Sequence, residues 1–297
     1  MTHPAKKLIT AITMATVLSQ SAVAIELYDA LALPMTNVEG NAITLNAMLG
    51  KRPIYIKFWA SWCAPCNQQM PHFQQTYELH GEHIQFLSVN VDINESQTSV
   101  KNMIEKYRLT MPTVRDSEGL LAQAADLRGT PLHVLLDHNG HLIYHSHEVT
   151  QQLDQALAHL ADNTSAPAAL KTPTVIEPGQ ATPPAFVSQG KQALFFTATW
   201  CEWYLADKHP QQSKNCIAGQ HYFDQWVEKN TDANSLLIAS RLWSNNDDLD
   251  AYKEKYRVNY NTHLDDTNAL FFHYGIRSLP TLLILENGQE ISRKTAF

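Results

Sequence analysis

The chain has 297 residues, 44% of them hydrophobic and 17% charged, with a formal net charge of −7. That length exceeds one ordinary core and points to two domains. No block of Lys or Arg supplies the footprint of a nucleic-acid binder, and no apolar run reaches the eighteen residues of a membrane-spanning helix, so both classes are excluded.

At the N-terminus, Lys6 and Lys7 precede a largely apolar stretch over 8–18, and Ala22-Val23-Ala24 follows. Charge, apolar run and a small-x-small triplet in that order form a secretory signal. Residues 1–24 are expected to be cut off after Ala24, leaving the mature chain in a bacterial periplasm; an uncleaved anchor is the competing reading. That compartment is oxidising, so cysteines there pair unless kept reduced.

Next comes a β-rich run over 53–59 (PIYIKFW), expected as a buried strand. A helix is expected over 63–79, with Pro71 as a kink. A strand over 84–91, a helix over 99–107 and a short helix near 120–127 follow. Two strands, 132–136 and 142–147, flank the turn Asp137-His138-Asn139-Gly140 as a hairpin, and an amphipathic helix over 151–160 closes this part. The stretch 163–185 is rich in Pro, Thr and Ala without apolar period and is expected to be a semi-rigid linker.

Beyond it the order repeats: a strand over 193–197, a helix opened by Trp200-Cys201, a strand over 236–239, a helix over 249–256, then 282–285, the turn Glu286-Asn287-Gly288 and a last strand. A closing helix is not foreseen here, so one face of the second sheet is expected to be covered by something else. Domains are expected at 25–162 and 186–297. Strands alternating with helices and ending in a hairpin indicate an α/β sandwich with a mixed sheet.

The chemistry concentrates in FWASWCAPC, residues 58–66. A Cys-x-x-Cys where a strand gives way to a helix puts its first sulfur among the unpaired N–H groups of a helix start. Cys63 is thereby expected to ionise more readily and to attack, with Cys66 in reach to resolve the mixed disulfide. Trp62 is expected beside an exposed sulfur, shaping a docking surface. Two other roles compete. So short a loop removes little unfolded-state entropy as a staple, and structural zinc wants four ligands, but two soft thiolates suit copper transfer.

KFWASWCAPC, Met70-Pro71 in the following helix, and Gly129-Thr130-Pro131 before a strand and an Asn-Gly turn together resemble the thioredoxin superfamily. The lead-in over 38–63 is similar to its exported TlpA/ResA-type branch. The resemblance implies two thioredoxin-like three-layer α/β/α domains with mixed central sheets. It implies Cys63 and Cys66 as the redox pair, joined across Ala64 and Pro65. Pro131 is implied as a cis-proline facing them, with backbone at Thr130 free to pair with a substrate strand. It further implies protein disulfides or dithiols as substrates, a membrane thiol-transfer protein as electron donor, and no cofactor. Where many thioredoxins carry a buried Asp six residues before the first cysteine, this chain has Lys57. That cation either stabilises the Cys63 thiolate or points to solvent, the commoner fate of lysine.

FTATWCEWY, residues 196–204, aligns with the first motif, Cys201 matching Cys63 and Tyr204 matching Cys66. Pro280 is the second cis-proline candidate. Cys216 follows a polar loop, and Cys201–Cys216 is either a structural disulfide or a redox pair. The histidines His138, His141, His145 and His147 are read as a solvated hairpin face rather than a metal site, and Tyr252, Tyr256 and Tyr260 as core packing. The function expected is an exported thiol-disulfide oxidoreductase; the alternatives are a copper carrier and a protein whose second domain docks a client.

Overall fold

A computed structural model describes residues 27–44, 49–162, 190–207 and 209–297. The expected signal segment, its cut site after Ala24 and the 163–185 stretch lie outside the described residues.

The first unit is built on a seven-stranded mixed sheet. A short helix α1 (Leu27–Ala30) leads into β1 (Met35–Asn37) and β2 (Ala42–Ile43). Then come β3 (Ile54–Trp59), α2 (Ala64–His80), β4 (Gln85–Asn90), α3 (Gln97–Tyr107), β5 (Thr113–Arg115) and α4 (Leu120–Ala124). The hairpin β6 (Leu132–Leu136) and β7 (Leu142–Ser146) and the helix α5 (Gln151–Asp162) complete it. The strands lie in the order β2-β1-β5-β4-β3-β6-β7. The central β3 is parallel to β4 and antiparallel to β6. All six of its residues are buried, including Tyr55, Phe58 and Trp59. Burial on both faces is why this strand reads as a continuous apolar run rather than an alternation. Where β6 turns into β7, Gly140 has φ +80°, and a Cβ there would lie 2.3 Å from the Tyr28 ring. Both the backbone and the packed α1 thus demand glycine at this turn.

The second unit holds a five-stranded sheet in the order β10-β9-β8-β11-β12. Its elements are β8 (Lys191–Thr197), α6 (Cys201–Tyr204), α7 (Pro210–Lys229), β9 (Asn234–Ser240), α8 (Asn246–Tyr256), β10 (Asn261–Asp265), α9 (Ala269–His273), β11 (Thr281–Glu286) and β12 (Gln289–Lys294). β8 occupies the place of β3: parallel to β9, antiparallel to β11. Its Phe195 stacks on Phe223 of α7 at 4.9 Å, and Phe297 meets the same ring edge-on. Both units are α/β layers around mixed sheets with the same central connectivity, and the first has the thioredoxin-like architecture.

Several local readings change. The polar loop expected before Cys216 ends at His209; Pro210 starts the 20-residue helix α7, with proline at the position where a missing N–H costs nothing. Cys216 therefore sits on a helix. The helix α2 runs through Pro71 without ending. Tyr252 and Tyr256 lie on α8, but Tyr260 lies beyond it. The three hydroxyls are engaged: Tyr252 donates to Gln220 Oε1 at 2.7 Å, Tyr260 to Asp224 Oδ1 at 2.7 Å, and Tyr256 to Glu202. This group is a buried polar network as well as core.

Candidate active site

The site begins where β3 ends. The turn after Trp59 is held from the far side by Glu95, whose carboxylate accepts from the Ser61 backbone N–H and, at 2.8 Å, from the Ser61 hydroxyl. The same carboxylate accepts from Asn90 of β4 at 3.0 Å and from Ser99 of α3 at 2.9 Å. Ser96 and Ser99 form a reciprocal cap at the start of α3. One acidic side chain thus ties the cysteine turn to two neighbouring elements. Asn67 adds a bond back to the Ser61 carbonyl at 3.1 Å.

Cys63 is the N-cap of α2, in extended conformation, and its Sγ accepts from the Cys66 backbone N–H at 3.1 Å. This is the position where helix-start N–H groups favour negative charge. Cys63 and Cys66 are disulfide-bonded, with their Cα atoms 5.2 Å apart. The peptide bond Thr130–Pro131 is cis. Pro65 of the cysteine turn and Pro131 line one open groove of ≈ 560 Å³, together with Gln69, Thr130, His147 and Trp243. Thr130 Oγ1 is buried with no hydrogen-bond partner among the described residues. His147 closes the groove's far wall through a 2.7 Å contact of Nδ1 with the Pro131 carbonyl.

Below the disulfide the structure departs from the sequence reading of Lys57. The side chain does not reach solvent; it is fully buried in β3. Its Nζ donates to Gln69 Oε1 at 3.0 Å and lies 3.4 Å from His133 Nε2 and 5.8 Å from the centroid of Phe73. His133 meets Gln69 Oε1 at 2.7 Å through Nε2 and the Tyr55 hydroxyl at 2.7 Å through Nδ1. Among the described residues, no carboxylate hydrogen-bonds to Lys57 or His133. Burial lowers Lys57 to about 7. Burial first, and then the Lys57 charge, lower His133 to about 2, so the imidazole stays neutral. Cys66, Gln69 and Phe73 recur at helical spacing along α2, so Lys57 lies under the face of α2 that carries the second cysteine.

The expected accessibility of the site is overturned. Cys63 is 0% exposed and Trp62 4%. Trp62 does not shape an open surface: its indole donates to the Ile93 carbonyl at 2.8 Å and stacks on Trp200 of the second unit, centroids 5.0 Å apart. Trp243 meets Trp62 edge-on at 5.3 Å, and its backbone N–H donates to the Arg128 carbonyl at 2.6 Å, two residues before Thr130. The Tyr204 hydroxyl accepts from the Ala64 backbone N–H at 3.2 Å. Ala64 and Pro65 themselves remain exposed. The buried Arg241 fastens this contact, donating to the carbonyls of Leu127 at 3.0 Å and Asp266 at 2.7 Å and to the Asp126 carboxylate. Neither Trp243 nor Arg241 stands out in the sequence, because both act across more than a hundred residues.

In the second unit Cys201 opens α6, and Tyr204 stands where Cys66 stands in the first. Cys201 and Cys216 are disulfide-bonded, Cα atoms 6.1 Å apart. Leu279–Pro280 is cis. α7 approaches it so closely that a Cβ at Gly219 would lie 2.5 Å from Pro280 Cγ. The hairpin histidines do not gather: His145 reaches toward the Ala125 carbonyl, His147 toward Pro131, and His141 pairs with Asp137. Among the described residues no three His, Cys, Asp or Glu side chains converge as a metal site, and no helix is long and apolar enough to cross a membrane.

A thioredoxin-like layered fold that carries a Cys-x-x-Cys disulfide at the head of α2, with a cis-proline lining a groove beside the cysteine turn, defines a thiol-disulfide oxidoreductase. The chain belongs to the Redoxin family, whose model matches residues 10–160, just over half of its length. It is 27% identical over 128 residues to the thiol-disulfide oxidoreductase ResA of Halalkalibacterium halodurans, an alignment covering 42% of this chain and 71% of that protein. It is 33% identical over 110 residues to the sporulation thiol-disulfide oxidoreductase A of Bacillus subtilis, covering 36% and 66%. The crystal structure of StoA from Bacillus subtilis matches with a TM-score of 0.37 and 27% identity, covering 42% of this chain and 93% of that one.

Proposed function

We propose that this chain is an exported protein-disulfide reductase or isomerase working through Cys63 and Cys66. The observation that carries the reading is the placement of Cys63: N-cap of α2, its sulfur accepting a backbone N–H, bonded to a partner sulfur one helical turn on. In the reduced protein, once the second unit has moved off the cysteine turn, the Cys63 thiolate attacks a substrate disulfide, forming a mixed disulfide and releasing one substrate thiolate. Cys66 gives up its proton, attacks Cys63 and releases the second substrate thiol, leaving the Cys63–Cys66 disulfide. The groove past Pro131, with the unpartnered Thr130 Oγ1 on its wall, receives the substrate segment. A dithiol donor, a membrane thiol-transfer protein in the compartment assigned to the exported chain, then returns two electrons.

The division into domains at 25–162 and 186–297, joined through 163–185, belongs to the same reading, as does removal of residues 1–24. Reduction of insulin disulfides in the presence of a dithiol is the direct assay. Wild type should catalyse it, and Cys63→Ser should lower the rate at least about a hundredfold, because the thiolate at the helix start is lost. Tight one-to-one Cu(I) binding by Cys63 and Cys66 without insulin reduction would replace this reading with the copper carrier.

A further inference from the structure

Both disulfides are shielded from solvent: Cys201 is 1% exposed and Cys216 4%, beside a fully buried first pair. A single shared surface lies over the head of each cysteine turn. Trp62, immediately before Cys63, stacks on Trp200, immediately before Cys201, with 29° between the rings. Tyr204, three residues after Cys201, reaches the N–H of Ala64, the residue after Cys63.

Around this centre the contacts run in both directions. The N–H of Asn94, in the loop after β4, donates to the Arg277 carbonyl at 2.9 Å; the N–H of Trp243, in the loop after β9, donates to the Arg128 carbonyl at 2.6 Å. Asn94 and Trp243 are both left-handed, at φ 55° and 52°. Arg128 and Arg277 both stand three residues before the cis-proline of their unit. Asn94 Oδ1 further accepts from the Leu279 N–H at 2.8 Å, next to Pro280. The two units therefore meet by the same face, about an approximate two-fold axis near the stacked tryptophans, and this face is the one bearing each unit's first cysteine. A disulfide that served only to staple α6 to α7 has no need of that placement.

We propose that Cys201–Cys216 is a second redox site, the internal exchange partner of Cys63–Cys66. The proposal rests on the reading of Cys63 as nucleophile given above. The Cys63 thiolate attacks Cys201 Sγ; the Cys201–Cys216 bond breaks, a Cys63–Cys201 bond forms, and Cys216 leaves as a thiolate that takes up a proton. Cys66 then loses its proton and attacks Cys63, and Cys201 leaves and is protonated. One disulfide has formed and one has broken, moving two electrons from the first unit to the second; of the two protons taken up there, one balances that released by Cys66 and the other comes from solvent, and the reverse sequence returns them. Cys201 is the atom attacked because it opens α6 beside Trp200 on the shared face, whereas Cys216 lies on α7. The electrons enter the first pair from a dithiol donor.

Dependence on Cys63 supplies the test. Both pairs are buried, Cys63 and Cys66 at 0% and Cys201 and Cys216 at 1% and 4%, so burial directs a small thiol to neither, and the proposal requires that reduction of the second disulfide pass through Cys63. Full-length oxidised protein is mixed with dithiothreitol, quenched with acid over time, alkylated and mapped by mass. In the wild type, label is expected on Cys201 and Cys216 soon after Cys63 and Cys66. In Cys63→Ser/Cys66→Ser, reduction of the second disulfide is expected to slow at least about tenfold, since the internal thiolate is gone. A Cys66→Ser/Cys216→Ser chain oxidised with glutathione disulfide is expected to yield a Cys63–Cys201 peptide. A second disulfide that stays closed in the wild type while the first is fully reduced overturns the proposal, and that measurement needs no variant to fold. Equal reduction rates with and without Cys63 and Cys66 also overturn it, as does the absence of the Cys63–Cys201 peptide. Insulin reduction by the wild type separates the two readings: retained activity with an inert second disulfide removes only this proposal, whereas its loss removes the function on which it rests.

Discussion

Lys57 is a charged side chain held where water cannot reach it, facing Gln69 and Phe73 of α2 and the neutral His133 of β6. Its folded value, about 7, lies well below that of a lysine in an unfolded chain, so unfolding takes up a proton above pH 7. Stability gained from this group therefore rises as pH increases from about 7 toward 10, by up to about 1.4 kcal/mol per pH unit, and below pH 7 the buried cation weighs fully against the native state. Urea unfolding of wild type and Lys57→Met across pH 7–9 should show that slope in the first and its loss in the second. Parallel profiles would mean that the amine is not the titrating group. The sequence displayed Lys57 as an oddity within an apolar strand but did not reveal its burial. Burial depends on Gln69 and His133, brought together from another helix and another strand, and a lysine alone reads as a surface residue.

Among the elements, the turn that carries Cys63 depends on Glu95, which binds Ser61, Asn90 and Ser99 at once. Glu95→Ala leaves the Ser61 N–H and the cap of α3 without their shared acceptor. It should cost about 1–3 kcal/mol in thermal or denaturant unfolding, as loss of hydrogen bonds to a charged group does. It should also lower insulin reduction several-fold, because Cys63 is no longer held in N-cap geometry; unchanged activity would show that α2 alone positions the sulfur. β3, α2 and the β6–β7 hairpin were legible because each announces itself locally: a continuous apolar run, a cysteine turn before a helical stretch, an Asn-Gly turn. α7 is absent from the sequence reading, which has a polar loop before Cys216, because its first turns, PQQSKN, are polar and look like a connection until Phe223 is seen stacked on Phe195. β10 carries no strong period, and pairing with β9 supplies what its sequence lacks.

At the scale of the whole molecule, the second unit packs on the first unit's cysteine turn, and Arg241 is one fastening beside the Arg128–Asp266 pair. Removing Arg241 takes away the donors that reach the Leu127 carbonyl and the Asp126 carboxylate across the contact and the Asp266 carbonyl within the second unit. Arg241→Ala should loosen the two units, and after reduction Cys63 should react with iodoacetamide several-fold faster than in the wild type. An unchanged rate would mean that the cover opens freely without this residue. The repeat of FWASWC in FTATWC made two related units visible in the sequence, yet not that they face one another. Trp62 was expected to flank an open sulfur because no local pattern shows what stacks on it; its partner lies 138 positions further along, at Trp200.

The central claim is that Cys63 attacks and Cys66 resolves. Cys66→Ser, expressed in the native compartment and recovered under acid quench, tests it most directly by peptide mapping of the mixed disulfides. The account predicts client peptides bonded to Cys63 and released by a dithiol. Recovery of no clients, or of clients bonded to Cys201 alone, would contradict it.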